Sequence, residues 1–131
     1  MKIGWLPESY SLATLLQAVA RAGAQGLSAV NSLPMRVLNS VQQPVFGKRL
    51  ISGVSGYPIK DLALSFIRRL QAYNQHHHLQ LAIVGMGGIT APEHFIEFLD
   101  AGADVALSAT GMMWNPFLAL DYHQRKFLCL H

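Results

Sequence analysis

Gly85-Met86-Gly87-Gly88-Ile89-Thr90 is the stretch that decides how this chain folds. An apolar run from Leu79 to Val84 leads into it and reads as a buried strand. A helix leads out of it. Thr90 is placed to cap that helix, Pro92 suits its first turn, and Glu93 stands three residues after Thr90, as in a capping box. A strand, a glycine turn and a helix in that order make the joint of a parallel α/β sheet. Glycines in such a joint either supply positive φ angles or let a ligand approach the backbone. Free N–H groups at a helix start favour an anion, phosphate above all. The third glycine of a dinucleotide fingerprint is missing, because Thr90 stands in its place, and no Gly-Lys-Ser/Thr follows as in a nucleotide-hydrolase loop.

Working outward, the same joint repeats. A short strand near Lys2 to Leu6 precedes a helix carrying Leu12, Leu15, Leu16 and Val19, which ends near Gly23 and Gly26. Leu27 to Asn31 reads as the second strand. A long loop with Pro34, Asn39, Pro44 and Gly47 follows, closed by Gly53-Val54-Ser55-Gly56. Its helix spans about Lys60 to Tyr73 and buries Leu62, Phe66 and Leu70 or their neighbours. The third helix presents Phe95, Ile96 and Leu99 and stops at Gly102. Val105 to Ala109 is the fourth strand, and Asn115-Pro116 starts a last helix with Phe117, Leu118, Leu120 and Phe127. Four units in 131 residues average about 33 each, and eight such units give the roughly 250 residues of a (β/α)₈ barrel. The expected fold is therefore a single α/β domain, residues 1–131, forming the C-terminal half of a TIM (β/α)₈ barrel. The rival is a small open four-stranded sheet of the flavodoxin or Rossmann kind.

The fourth strand ends in Ser108-Ala109-Thr110-Gly111, again just before a helix. Two successive strand ends with small or hydroxyl residues can grip one phosphate from two sides. Barrels often place a phosphate after strands seven and eight, which numbers these units five to eight. Lys2 in the first strand can stabilise negative charge on a reduced flavin ring. Asn31 and Ser32, closing the second strand, offer an amide and a hydroxyl to a small polar substrate.

Several function classes are excluded. The net charge of +3 is spread along the chain, and only Arg68-Arg69 and Arg125-Lys126 are adjacent basic pairs, so no nucleic-acid surface is expected. A single cysteine, Cys129, rules out an internal disulfide and a thiolate zinc cluster. No apolar run reaches the roughly 20 residues of a membrane span. Met1 to Trp5 shows no signal-peptide pattern, so a cytoplasmic location is the default expectation. His76-His77-His78 reads as a solvated helix-to-strand loop, because consecutive histidines cannot all face one ion. His94 and His123 read as structural. Met86, Met112, Met113 and Trp114 read as packing. Charged residues make up 13% of the chain against about a quarter in ordinary soluble domains, which suggests hidden surface in an oligomer or a completed barrel.

Val30-Asn31-Ser32, Gly53-Val54-Ser55-Gly56 with Ile59-Lys60, Ile83 to Ile89, Ala101-Gly102-Ala103 and Ala109-Thr110-Gly111 stand in the order and spacing of one family. From Lys2 to about Tyr122 the chain resembles the dihydroorotate dehydrogenases. Its Val-Asn-Ser form is similar to the soluble class 1 branch. The Gly-x-Gly-Gly-Ile run recurs in other flavin and phosphate barrels, and the combination with Ser55-Gly56-x-x-Ile59-Lys60 is the specific part. The resemblance implies FMN as cofactor and oxidation of dihydroorotate to orotate in pyrimidine biosynthesis. It implies that Lys2 contacts the flavin, that Val30 and Gly56 contact it through their backbone, and that Gly87, Gly88, Ala109 and Thr110 grip the phosphate. It implies substrate contacts from Asn31 and Ser32. Ala109 stands where the family's pair carries glycine. The family's general base, a Cys or Ser on a loop, lies upstream of everything in this chain, and Cys129 is at the wrong end to replace it. No catalytic residue is therefore assigned, and little turnover is expected from the chain alone.

Three functions compete at this point. One is a split or partial half of a flavin oxidoreductase, partnered by an N-terminal half-barrel. Another is a self-associating half-barrel that holds FMN or another phosphate ligand without chemistry, since open sheet edges need covering. The third is a sugar-phosphate enzyme, weakened by the lack of an evident acid–base pair.

Overall fold

The structure, a computed structural model, describes residues 1–128, with side chains through Arg125. The side chains of Lys126, Phe127 and Cys129, named above, fall outside the described part. The elements run α1 (Leu12–Arg21), β1 (Gly26–Ala29), β2 (Leu33–Arg36), β3 (Ile51–Val54), α2 (Lys60–His76) after a 3₁₀ turn at Tyr57–Ile59, β4 (Ala82–Met86), α3 (Pro92–Asp100), β5 (Val105–Leu107), α4 (Thr110–Trp114) and α5 (Leu118–Leu128).

β1, β4 and β5 form one parallel sheet in that order. The first strand expected from Lys2 shrinks to one parallel bridge, Lys2 to Ser28, held by Ile3 N to Ser28 O at 2.9 Å and Ser28 N to Met1 O at 2.7 Å. That segment has a partner on one side only, which leaves little to extend it. Each strand thus lies beside its predecessor in sequence. The helices follow suit, with α1 packed on α2, α2 on α3, and α3 on α5. A doubly wound sheet reverses its strand order and divides its helices between two faces. Here neither happens, so the Rossmann and flavodoxin alternatives fall and the half-barrel stands.

The core lies between the sheet and this single helix layer. Leu27, Ala29, Ile83 and Gly85 point to the helices and are buried. They meet Leu16 of α1, Phe66, Ile67 and Leu70 of α2, and Phe98 of α3, all fully buried. Each such large side chain contributes about 1.5–3 kcal/mol. Gly85, the first glycine of the decisive stretch, serves this packing, since a Cβ there would sit 2.7 Å from a Phe98 ring carbon. Among the described residues, no helix covers the opposite sheet face. Its residues include Val105 and Leu107, 48% and 47% exposed.

Four local expectations change. The long loop after the second strand contains an antiparallel hairpin, β2 with β3, pairing Leu33 with Val54 and Arg36 with Ile51. The buried stripe of α3 is His94, Phe95 and Phe98, and Ile96 faces solvent. On α2 the buried set is Ala63, Leu64, Phe66, Ile67, Leu70 and Asn74, while Leu62 is exposed. α2 also runs on to His76, so only His77 and His78 lie past its end. Asn74 then closes the link to β4 like a short piece of strand. Its Nδ2 donates to Leu81 O at 2.8 Å, and its Oδ1 accepts from Leu81 N at 3.1 Å.

Candidate functional site

Parallel strands bring their C-terminal ends to one rim, and ligands of α/β sheets gather there. At this rim an open cleft with a cavity volume of about 110 Å³ is lined by Lys2, Val30, Asn31, Ser32, Gly56, Gly87, Gly88, Ala109 and Thr110. Every candidate residue picked from sequence therefore borders one space. Ser55, Ile59, Met86, Ile89, Leu107 and Ser108 complete its walls.

Hydrogen bonds and close packing join the two turns at the rim. Ser108 Oγ donates to Ile89 O at 2.7 Å, which ties the end of β5 to the turn after β4. Gly111 lets α4 press against that same turn, because a Cβ there would collide with Ile89 O. Thr110 Oγ1 reaches Ser55 Oγ at 3.4 Å, and a Cβ on Gly56 would lie 3.1 Å from Thr110 Cγ2. Three turns, after β3, β4 and β5, thus meet along Ser108 to Gly111.

Gly88 has φ +89°, and a Cβ on it would sit 2.6 Å from Lys60 Cα. The glycine is needed so that the turn can lie against the start of α2. Among the described residues, the N–H groups of Gly87, Gly88, Ala109 and Thr110 find no protein acceptor. Gly88 is buried, and buried N–H groups without an acceptor are rare. Val30 differs, since its N–H is spent on Met86 O at 2.7 Å. Only its carbonyl and side chain remain for a ligand.

The helix after this turn is capped differently from the sequence expectation. Ala91, not Thr90, is the N-cap. His94 Nδ1 accepts from Thr90 N at 3.1 Å and from Ala91 N at 3.2 Å. His94 therefore does the work expected of a carboxylate, and its structural reading holds. Glu93 turns outward to Arg125 at 3.0 Å.

Sequence reasoning missed an ion pair behind the cleft. Lys60 Nζ lies 2.6 Å from Glu97 Oε2, its side chain only 12% exposed and that of Glu97 39%. The hydrogen bond that Lys60 donates to Glu97 raises the Lys60 pKa above its ordinary value, against the opposing effect of burial. Lys60 also lies over the Tyr57 ring, 5.5 Å from its centroid. The signal was present in Lys60 and Glu97, but 37 positions separate them. Among the described residues no group of three or more potential ligands could hold a metal ion. Nor is any helix long and apolar enough to cross a membrane.

These features define a class, a parallel (β/α)-barrel portion with a cleft lined by glycine turns at the strand C-termini. The family model for dihydroorotate dehydrogenase matches residues 6–124. The chain belongs to the dihydroorotate dehydrogenase family. It is 38% identical over 128 residues to dihydroorotate dehydrogenase of Dictyostelium discoideum, covering 96% of this chain and 35% of that protein. It is 34% identical over 116 residues to the catalytic subunit of dihydroorotate dehydrogenase B (NAD(+)) of Oceanobacillus iheyensis, covering 88% and 36%. A crystal structure of ligand-free DHODH from Eimeria tenella superposes with a TM-score of 0.73 at 21% identity, covering 92% of this chain and 32% of that one. The chain thus spans about a third of the length of these relatives.

Proposed function

We propose that this chain is the FMN- and phosphate-holding C-terminal half of a flavin oxidoreductase of the dihydroorotate dehydrogenase type, acting on dihydroorotate in pyrimidine biosynthesis in the cytoplasm. The observation that carries this reading is the pair of adjoining turns whose four N–H groups find no protein acceptor among the described residues. In this reading the amides of Gly87, Gly88, Ala109 and Thr110 hold the phosphate, which suits free donors at strand ends. Lys2 supplies a cation at the rim, and Val30 and Gly56 wall the ring site. Asn31 and Ser32, both exposed beside the cleft, donate and accept for a small polar substrate such as dihydroorotate or orotate. Bound FMN supplies the hydride acceptor. The chain has no candidate for the proton-abstracting base, so we propose no dihydroorotate turnover by it alone.

The test is a titration of the purified chain with FMN and with riboflavin, read by visible absorbance and flavin fluorescence. FMN is expected to bind more tightly by roughly tenfold or more, the value of one or more charge-assisted hydrogen bonds to phosphate. Equal affinity for the two would remove the phosphate grip. Absence of binding by either would remove the flavin reading. A second reading, a phosphate- or FMN-binding half-barrel without chemistry, is favoured by the uncovered sheet face and shares the same site.

A further inference from the structure

We infer that Lys60 and Glu97 are positioning residues for the phosphate end of the cleft. Their ion pair holds the Gly87–Gly88 turn in place against α2, and through that turn it sets how well the cleft grips a phosphate. The inference deepens the phosphate reading given above and rests on it.

The turn is seated on the head of α2. A Cβ on Gly87 would lie 3.1 Å from Ala63 Cβ and 3.4 Å from Ile59 Cδ1, and one on Gly88 would lie 2.6 Å from Lys60 Cα. Lys60 is itself fixed by the 3₁₀ turn before it, since its backbone N–H donates to Tyr57 O. Beyond the glycines the chain enters α3, whose His94 accepts from the Thr90 and Ala91 amides. The glycine turn is thus bracketed by the first residues of two helices. Lys60 Nζ and Glu97 Oε2, 2.6 Å apart, link those two helices.

A strap that served stability alone could lie anywhere along the helix pair. α2 and α3 already touch closely further on, where a Cβ on Gly102 would lie 2.5 Å from Gln71 Cγ. The ion pair is built instead at the residue on which Gly88 rests. It also differs from the pair of Arg125 with Glu93, whose side chains are 65% and 56% exposed. An exposed pair contributes little, whereas partial burial, as at Lys60, strengthens the attraction and its hold on geometry.

Position matters because the donors of the turn are backbone groups. They cannot re-aim by rotating a side chain, and a hydrogen bond weakens steeply as its angle departs from linear. A ligand-holding group must stay within about 0.5 Å of its productive place, held there by the residues behind it. Without Glu97 the Lys60 stem loses its anchor, and the floor under Gly88 loosens with it.

The test uses the full chain. Glu97→Ala and Lys60→Met each remove one partner, and Lys60→Arg keeps a cation for Glu97. Asn74→Ala is the control, a destabilising change near the other end of α2. FMN and riboflavin are titrated against each variant. Lost stability weakens both flavins alike, so the ratio of their affinities isolates the phosphate grip. That ratio should fall about fivefold in Glu97→Ala and in Lys60→Met, as when one charge-assisted bond to phosphate loses alignment. The double variant should fall no further than either single one, because both break the same pair. Lys60→Arg and Asn74→Ala should keep the parent ratio. Should a variant not fold, the milder Glu97→Gln takes its place, with a smaller fall expected. An unchanged ratio in the variants that break the pair, an equal fall in Asn74→Ala, or a Lys60→Arg that behaves as Lys60→Met would overturn the inference.

Amide NMR spectra of the ligand-free chain keep that failure apart from failure of the phosphate reading. The Gly87 and Gly88 cross-peaks should shift in Glu97→Ala and stay in place in Asn74→Ala. A parent that binds FMN no better than riboflavin would sink the phosphate reading, and the spectra would then decide alone. Shifted glycine peaks uphold the dependence of the turn on the pair, and unshifted ones overturn it.

Discussion

Gly88→Ala is expected to destabilise the chain by about 2–5 kcal/mol even with no flavin present. Two costs combine. At φ +89° a residue bearing a Cβ is strained, by about 1–2 kcal/mol for a left-handed backbone. The new methyl would also lie 2.6 Å from Lys60 Cα and 2.8 Å from Lys60 N, both backbone atoms at the head of a long helix. Such atoms cannot swing aside as a flexible side chain would, and overpacking of this kind costs about 1–3 kcal/mol. Gly4→Ala is the control, because nothing lies within 4 Å of its Cβ position. Its effect should stay within about 0.5 kcal/mol. The assay is urea unfolding followed by far-UV circular dichroism, at matched protein concentration so that any association affects both variants alike. With a urea slope of about 1–3 kcal/mol/M, Gly88→Ala should unfold at a lower midpoint than Gly4→Ala by about 0.7–5 M. If the two midpoints coincide in the absence of ligand, the turn does not need glycine for packing, and the account of why Gly88 stands there is wrong.

Asn74→Ala removes both hydrogen bonds to Leu81 and leaves that buried backbone N–H and C=O unpaired, so a loss of about 2–4 kcal/mol is expected in the same unfolding assay. Glu97→Gln should cost about 1 kcal/mol, since Glu97 is 39% exposed and its pairing with Lys60 is partly screened. The pH dependence of that difference follows from the direction of the Lys60 shift. Its folded pKa lies above the ordinary 10.5, so the stabilisation is fully present below that value and is lost as pH rises through the folded pKa. Unfolding curves of parent and Glu97→Gln should therefore stay a constant distance apart at neutral pH and converge in strong alkali.

The strand–helix alternation could be read from sequence because each helix has a period of its own and each strand is short and apolar. The cleft residues were legible for a related reason. Gly87 and Gly88 follow directly on β4 and Thr110 stands three residues past β5, and parallel strands bring those ends together whatever lies between. Where the reading failed, the deciding partner was distant. Ile96 and Phe98 are equally apolar, and only the position of Gly85 on β4 and of Ala103 just before β5 selects Phe98 for the interior. Thr90 and Glu93 spell a capping box, yet the His94 ring reaches the same amides and leaves Glu93 to Arg125. The hairpin from Leu33 to Val54 has Pro34 in one arm, and neither Leu33-Pro34-Met35-Arg36 nor Ile51-Ser52-Gly53-Val54 alternates apolar with polar residues, the sequence mark of a half-buried strand.

The neighbour-by-neighbour arrangement of strands and helices bears on how the chain comes apart. Each unit rests on the one before and the one after, as in a stacked repeat array, so cooperativity passes along the chain in one dimension. The β1–β4 pair, flanked on both sides, should resist amide exchange longest. Loosening then proceeds inward from Met1 and from β5, and the first bonds to open are those that border the cleft.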